Sequence, residues 1–114
     1  GYKYGIPYDA DFILDCRFIP NPHWVPELQP LSGKDGAVAK MVLDNPATKN
    51  FINNFLHLFD GTKDGFLQEG KRYLTIAIGC TGGRHRSVAV SEFLANEFKN
   101  QKIDTTLNHR DLDR

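Results

Sequence analysis

Cysteine is scarce: Cys16 and Cys80 are the only two in 114 residues. Each falls within or at the end of an apolar, strand-like run, so two buried thiols of a cytosolic protein are expected rather than a disulfide framework. No CxxC pair occurs, and His23, His57, His85 and His109 are scattered, so nothing has the spacing of a zinc site. An excess of either charge is also missing, with 14 basic and 14 acidic side chains and a formal net charge of zero. A wholesale electrostatic grip on nucleic acid is therefore not implied, and only a local basic patch remains open. No apolar run approaches the ~20 residues that cross a bilayer. The start, Gly1-Tyr2-Lys3-Tyr4-Gly5, lacks the apolar region of a signal peptide, which points to the cytoplasm. It also lacks Met, so a fragment or processed chain is expected. Without repeats, low-complexity tracts or linkers, residues 1–114 read as one domain with a single modest core.

What is present centres on Tyr73 to Ser87. Leu74 to Ile78 reads as a buried strand of a parallel sheet. From Val88 onward, Val90, Phe93, Leu94 and Phe98 recur at helical spacing. The turn between them holds Gly79, Cys80, Thr81, Gly82, Gly83, Arg84, His85 and Arg86. In an open α/β sheet, ligands bind at the carboxyl ends of strands, where this turn sits. Glycines let the backbone approach a ligand, and free N–H groups at a helix start favour an anion. An arginine grips phosphate oxygens in a bidentate way. The turn is thus expected to be an anion cradle for a phosphate.

Elsewhere, Tyr2 to Tyr4 is expected to end an edge strand, and Phe12 to Ile19 to form a strand with Asp15 and Arg17 on one side. The stretch from Pro20 through Pro22, Pro26 and Pro30 to Gly33 is expected to be a long, stiffened loop. Within it, Trp24 is expected to pack against the core and His23 to decorate the loop, the alternative being that the loop is a binding element. Ala37 to Leu43 reads as a short helix. A second helix opens at Asn45-Pro46, carries the stripe Phe51, Ile52, Phe55, Leu56, Leu58 and Phe59, and ends at Gly61. Thr62 to Gly70 reads as a loop or an irregular extra turn. The helix after the cradle should fade near Asn100, and Ile103 to Leu107 should form a last strand. The fold class is α/β: a small, mostly parallel sheet flanked by helices, with a phosphate-binding strand–loop–helix at the strand ends.

Three readings of the cradle compete. Cys80, five residues, Arg86 and Ser87 match the spacing of a protein tyrosine phosphatase loop, with Cys80 as nucleophile. Such enzymes place histidine before the cysteine, where this chain has Gly79, and they need a general acid, for which Asp15 is a candidate. The second reading keeps the cradle without a nucleophile: Thr81, Gly82, Gly83 and Arg86 hold a phosphate, while Asp15 and Arg17 contact the rest of a small molecule. A carboxylate beside phosphate suits a ligand with hydroxyls or an ammonium, such as an amino-sugar phosphate. Against this, Asp15 and Arg17 pair with each other or cap neighbouring elements. The third is an RNA module with Arg84, His85, Lys102, Arg110 and Arg114 on a shared face, although Asp111 and Asp113 weaken it.

Tyr4-Gly5-Ile6-Pro7, Asp15-Cys16-Arg17-Phe18, Pro20-Asn21-Pro22-His23-Trp24 and Ile78-Gly79-Cys80-Thr81-Gly82-Gly83-Arg84-His85-Arg86-Ser87 closely resemble the C-terminal domain of the RapZ/YvcJ family. The resemblance extends over essentially the whole chain. It implies a domain similar in fold to a phosphofructokinase subdomain, without catalysis or cofactor of its own. In the enteric branch it implies a sensor of glucosamine-6-phosphate that binds small regulatory RNA and presents it to an endoribonuclease, tuning amino-sugar synthesis. Carried onto this sequence, the ligand site comprises Asp15, Arg17, His23, Thr81, Gly82, Gly83, His85 and Arg86, and Cys80 of the same turn is expected to join them. Arg84, Lys102, Arg110 and Arg114 are the RNA-binding candidates. Family members also assemble as oligomers. The family's N-terminal P-loop domain has no counterpart here, since no GxxxxGK[ST] occurs. Enteric relatives end in a lysine- and arginine-rich cluster, whereas this chain ends Asp111-Leu112-Asp113-Arg114, which makes the small-molecule site the safer expectation.

Overall fold

Two parallel strands, β1 (Phe12–Asp15) and β2 (Ile76–Gly79), form the sheet, in register from Phe12 with Ile76 to Asp15 with Gly79. The computed structural model describes all of residues 1–114. A parallel pair needs a crossover connection, supplied here by α1 (Gly36–Leu43) and α2 (Pro46–Gln68). After β2 the chain turns into α3 (Arg86–Asn100). The fold is α/β, and no helix is long and apolar enough to cross a membrane.

Local chemistry explains the start of α2 better than its end. Asn45 caps α2 by accepting from the Ala47 amide at 2.8 Å, and Pro46 takes the first helical position. The expected stop at Gly61 does not occur: α2 runs through Gly61 and Gly65 to Gln68. A glycine inside a helix costs about 1 kcal/mol, and tertiary packing outweighs that here. The Phe12 ring lies 5.5, 6.2 and 5.7 Å from those of Phe55, Phe59 and Phe66, so the sheet holds the last two turns in helical form. The helix closes instead at Gly70, whose φ of +87° suits a residue without Cβ.

Phe12, Leu14 and Cys16 share a sheet face with Ile76, Ile78 and Cys80. That face packs into a core with Val38 and Val42 of α1, Ile52, Phe55 and Phe59 of α2, and Val90, Leu94 and Phe98 of α3. Phe59 and Phe98, 4.8 Å apart, join the two long helices.

Four other expectations are corrected. Tyr2–Tyr4 forms a 3-10 turn rather than a strand, because its amides turn onto the cradle: Tyr2 N donates to the Cys80 carbonyl at 2.8 Å and Lys3 N to that of Thr81 at 3.2 Å. β1 stops at Asp15, where Ile19 N folds back onto the Cys16 carbonyl. Ile103 to Leu107 is not a strand. Lys102, at φ +61°, turns Ile103 N onto Phe98 O, and a groove of about 930 Å3 separates the following segment from β2. Trp24 is not packed: it is 78 % exposed. In the 3-10 turn Pro22–Trp24, successive side chains point about 120° apart, so burying Pro22 turns Trp24 outward.

Candidate functional site

The strand–loop–helix forms as expected, with α3 beginning at Arg86 rather than Val88. Its first residues are held inside the protein: Arg86 and Ser87 are buried. Ser87 joins the helix start to the strand end. Cys80 Sγ lies 3.3 Å from Ser87 Oγ and accepts from the Ser87 amide at 3.5 Å. The loop is therefore wound tightly around one sulfur atom. Gly83 makes this possible at φ +74°, and a Cβ there would collide with the Gly1 nitrogen.

Winding the loop this way leaves main-chain donors over. The amides of Thr81, Gly82, Arg84, His85 and Arg86 donate to no carbonyl or side-chain acceptor of the chain. His85, at the helix cap position, provides no side-chain cap either. Orphan amides in such number are unusual in a folded chain, where nearly all backbone donors are paired. A Cβ added at Gly82 meets nothing within 4 Å, so the loop is open on that side.

The arginine at the helix start has a structural part as well as the one expected of it. Arg86 Nη1 donates to the carbonyls of Arg17 at 2.9 Å and Ile19 at 3.0 Å, tying the chain after β1 to the cradle. Its Nε is buried with no partner. Arg86 thus braces the site from inside and carries positive charge beneath the loop.

Asp15 and Arg17 do pair with each other. Arg17 Nε reaches Asp15 Oδ1 at 2.9 Å and Oδ2 at 3.0 Å, and Nη2 reaches Oδ2 at 2.7 Å. The hydrogen bonds from Arg17 hold the Asp15 carboxyl below its usual range, outweighing partial desolvation. The pair is half exposed and stands at the end of β1, beside the strand that feeds the loop.

His23 and His85 come together, with rings 6.3 Å apart. Gln29 links them, donating to His23 Nε2 at 3.2 Å and accepting from His85 Nε2 through its carbonyl at 3.1 Å. Sequence reasoning passed over Gln29, since no local pattern ties it to either histidine. No group of three or more His, Cys, Asp or Glu is positioned to hold a metal ion.

Cys80 is surrounded unlike an ordinary buried thiol. Burial pushes its pKa up, but the Ser87 side chain, the amides of Ser87 and Gly83 and the Arg86 charge together bring it below the usual value. Cys16 has no such donors, and burial with the neighbouring Cys80 pushes it up to about 12.

Of the RNA candidates, Arg84, Arg110 and Arg114 converge on the segment 110–114, while Lys102 lies apart. Arg84 donates to the carbonyls of Leu112 at 3.1 Å and Pro30 at 2.8 Å. Arg110 binds Asp111 Oδ2 at 2.7 Å, and Arg114 Nε lies 3.1 Å from Asp111 Oδ1 while its guanidinium sits over the Tyr4 ring. Lys102 is exposed beyond the other end of α3, about 22 Å of helix away. The large groove also lies apart from the expected ligand residues, meeting them only at Gly83.

This architecture defines a small α/β domain organised on one amide-rich strand–loop–helix bend. The chain belongs to the RapZ family: the model of the RapZ C-terminal domain matches residues 1–113. It is 54 % identical over its full length to a nucleotide-binding protein of Streptomyces griseus, of which it covers 34 %. It is 51 % identical to a nucleotide-binding protein of Acidothermus cellulolyticus and 52 % identical to one of a Nocardioides species, covering 38 % of each. The chain thus spans little more than a third of the length of these curated relatives.

Proposed function

We propose that this regulatory domain binds an amino-sugar phosphate of the glucosamine-6-phosphate type at the bend after β2, without turning it over. The observation that carries the reading is the set of five unpartnered amides from Thr81 to Arg86, above a buried guanidinium. Such an arrangement stabilises a phosphate dianion through main-chain donors and the helix dipole. Asp15 accounts for the rest of the ligand. Its oxygens each accept twice from Arg17, whose exposed guanidinium a sugar hydroxyl or ammonium can displace. His23 and His85 supply further polar edges on the side of the proline-rich loop.

Thermal unfolding in the presence of glucosamine-6-phosphate, inorganic phosphate, glucosamine and ATP tests this. A ligand at 100 times its Kd stabilises by about 2.7 kcal/mol. The amino-sugar phosphate should give the largest shift, phosphate a smaller one and glucosamine none. ATP enters because the relatives are named nucleotide-binding proteins. A response to ATP alone sinks the reading. Gly82→Ala should leave the fold intact and abolish the phosphate response, since its methyl group enters open space beside the amides.

A second reading, thiol-based phosphoryl transfer, draws support from the donors around Cys80 Sγ. Two observations weigh against it. Asp15, its candidate general acid, is held ionised by Arg17, and the Tyr2 ring occupies the place where a side chain at position 79 would lie. Hydrolysis of an aryl phosphate that disappears in Cys80→Ser would restore it. The adapter role toward small RNA and an endoribonuclease, and self-association, remain part of the proposal for the longer protein. Steep loss of RNA affinity with salt would support an RNA contact by this domain.

A further inference from the structure

We propose that Cys16 and Cys80 form a peroxide-responsive thiol pair that closes into an intramolecular disulfide and so shuts the anion cradle. The shutting of the cradle rests on the phosphate-site reading above, whereas the covalent step does not.

The sheet register brings the two sulfurs together. Asp15 is partnered with Gly79, and the Cys16 amide donates to the Gly79 carbonyl at 2.7 Å, so the pairing continues one residue further. Cys16 and Cys80 therefore face each other across neighbouring strands, which lie about 4.8 Å apart. That spacing falls within the ~4.4–6.8 Å between Cα atoms that a disulfide spans. Side chains alternate along a strand, so both thiols leave the sheet on the face shared by Leu14 and Ile78. Both belong to the same buried cluster.

The two sulfurs are chemically unequal, and the inequality assigns their roles. Cys80 receives donors from Ser87 and Gly83 and feels the Arg86 charge, which favours its thiolate. Cys16, with its pKa pushed up to about 12, stays a thiol. A hydroperoxide, little larger than water in its simplest form, can enter where Thr81 is exposed and Gly82 borders open space. The Cys80 thiolate attacks the peroxide: an S–O bond forms, the O–O bond breaks, and the departing oxygen takes up a proton to leave as water. Cys16 sulfur then attacks the Cys80 sulfenic acid. The S–S bond forms, the S–O bond breaks, and hydroxide leaves with the Cys16 proton as a second water. Two thiols lose two electrons, and the peroxide gains them. The Cys80 sulfur then turns toward Cys16, and the loop wound on it loses its anchor at Ser87.

The reduced chain is titrated with hydrogen peroxide, followed by thiol counting in denaturant, intact mass and peptide mapping. The expected result is simultaneous loss of both thiols, a mass lower by two hydrogens, one peptide linking Cys16 to Cys80, and full recovery with dithiothreitol. In Cys16→Ser and Cys16→Ala, Cys80 should instead accumulate sulfinic acid. Unmodified thiols, a link between two chains, or wild-type protein that overoxidises as readily as the variants would overturn the pair. The wild-type map decides this even if neither variant folds. The thermal shift with inorganic phosphate should vanish on oxidation and return on reduction; a shift that survives with the disulfide mapped would overturn the switch. Reduced protein that ignores phosphate would instead count against the phosphate site, with the covalent result still decided by the map.

Discussion

The loop Cys80–Ser87 and the segment Arg110–Arg114 are both short, polar and rich in arginine, yet their donors end in opposite places. In the first, the side chain of Arg86 is engaged by carbonyls while five main-chain amides stay unpaired. In the second, Arg110 and Arg114 converge on buried Asp111, and Arg110 also reaches the carbonyls of Gly1 and Gly5. Counting cations marks both stretches equally as anion sites. What separates them is which donors remain available after folding, because an arginine bonded to carbonyls or aspartate has less to offer a phosphate.

The largest effect expected from breaking this contrast comes from Arg86→Ala. It leaves the Arg17 and Ile19 carbonyls without their donor and opens a cavity under the loop, which should cost roughly 2–4 kcal/mol in denaturant unfolding. Arg86→Lys should not restore it, since an ammonium lacks the planar fork. Stability unchanged in Arg86→Ala would show that the arginine is not a brace.

Next, the two loop glycines should part company. Gly83→Ala meets a left-handed backbone and a collision with the Gly1 nitrogen, costing about 1–2 kcal/mol from the backbone alone. Gly82→Ala should be nearly neutral in stability while removing phosphate binding. Equal melting temperatures for the two variants would refute the loop geometry.

On the other side of the comparison, Asp111→Asn should cost about 1 kcal/mol, since its guanidinium partners Arg110 and Arg114 are half exposed. Hydrogen bonding from Arg110 holds the folded Asp111 carboxyl below its unfolded value. Its contribution is therefore complete above a pH of about 4 and disappears as pH falls through the lower, folded range. The stability difference between wild type and Asp111→Asn should shrink with acid; a difference that grew would reverse the sign assigned here.

The smallest stability effect belongs to Asp15→Asn, below about 1 kcal/mol for an exposed pair. Its effect on selectivity should be larger. The variant should keep its response to inorganic phosphate and lose the added response to the amino sugar. Calorimetry with both ligands separates these outcomes.

Periodicity and punctuation were enough to read the α/β class, the strand–loop–helix and the start of α2 at Asn45-Pro46, because each depends on neighbours a few residues apart. The same local signals misplaced the end of α2, since Gly61 is a helix stop only where nothing distant holds the helix together, and Phe12 does. They packed Trp24 inward because tryptophan usually is, whereas the turn at Pro22 left room for one residue only. Ile103 to Leu107 carries strand-forming residues but no ladder partner, and propensity without a partner makes no sheet.

By itself, then, the order of residues determined the elements and the bend that the rest serves, through short-range sterics and capping. Tertiary structure alone decided which donors around that bend are engaged. Arg86 finds its acceptors at Arg17 and Ile19, Arg84 at Pro30 and Leu112, and the Cys16 amide at Gly79, all across separations that no local pattern encodes. A hydrogen bond is satisfied by proximity in space, and only the folded chain sets that proximity.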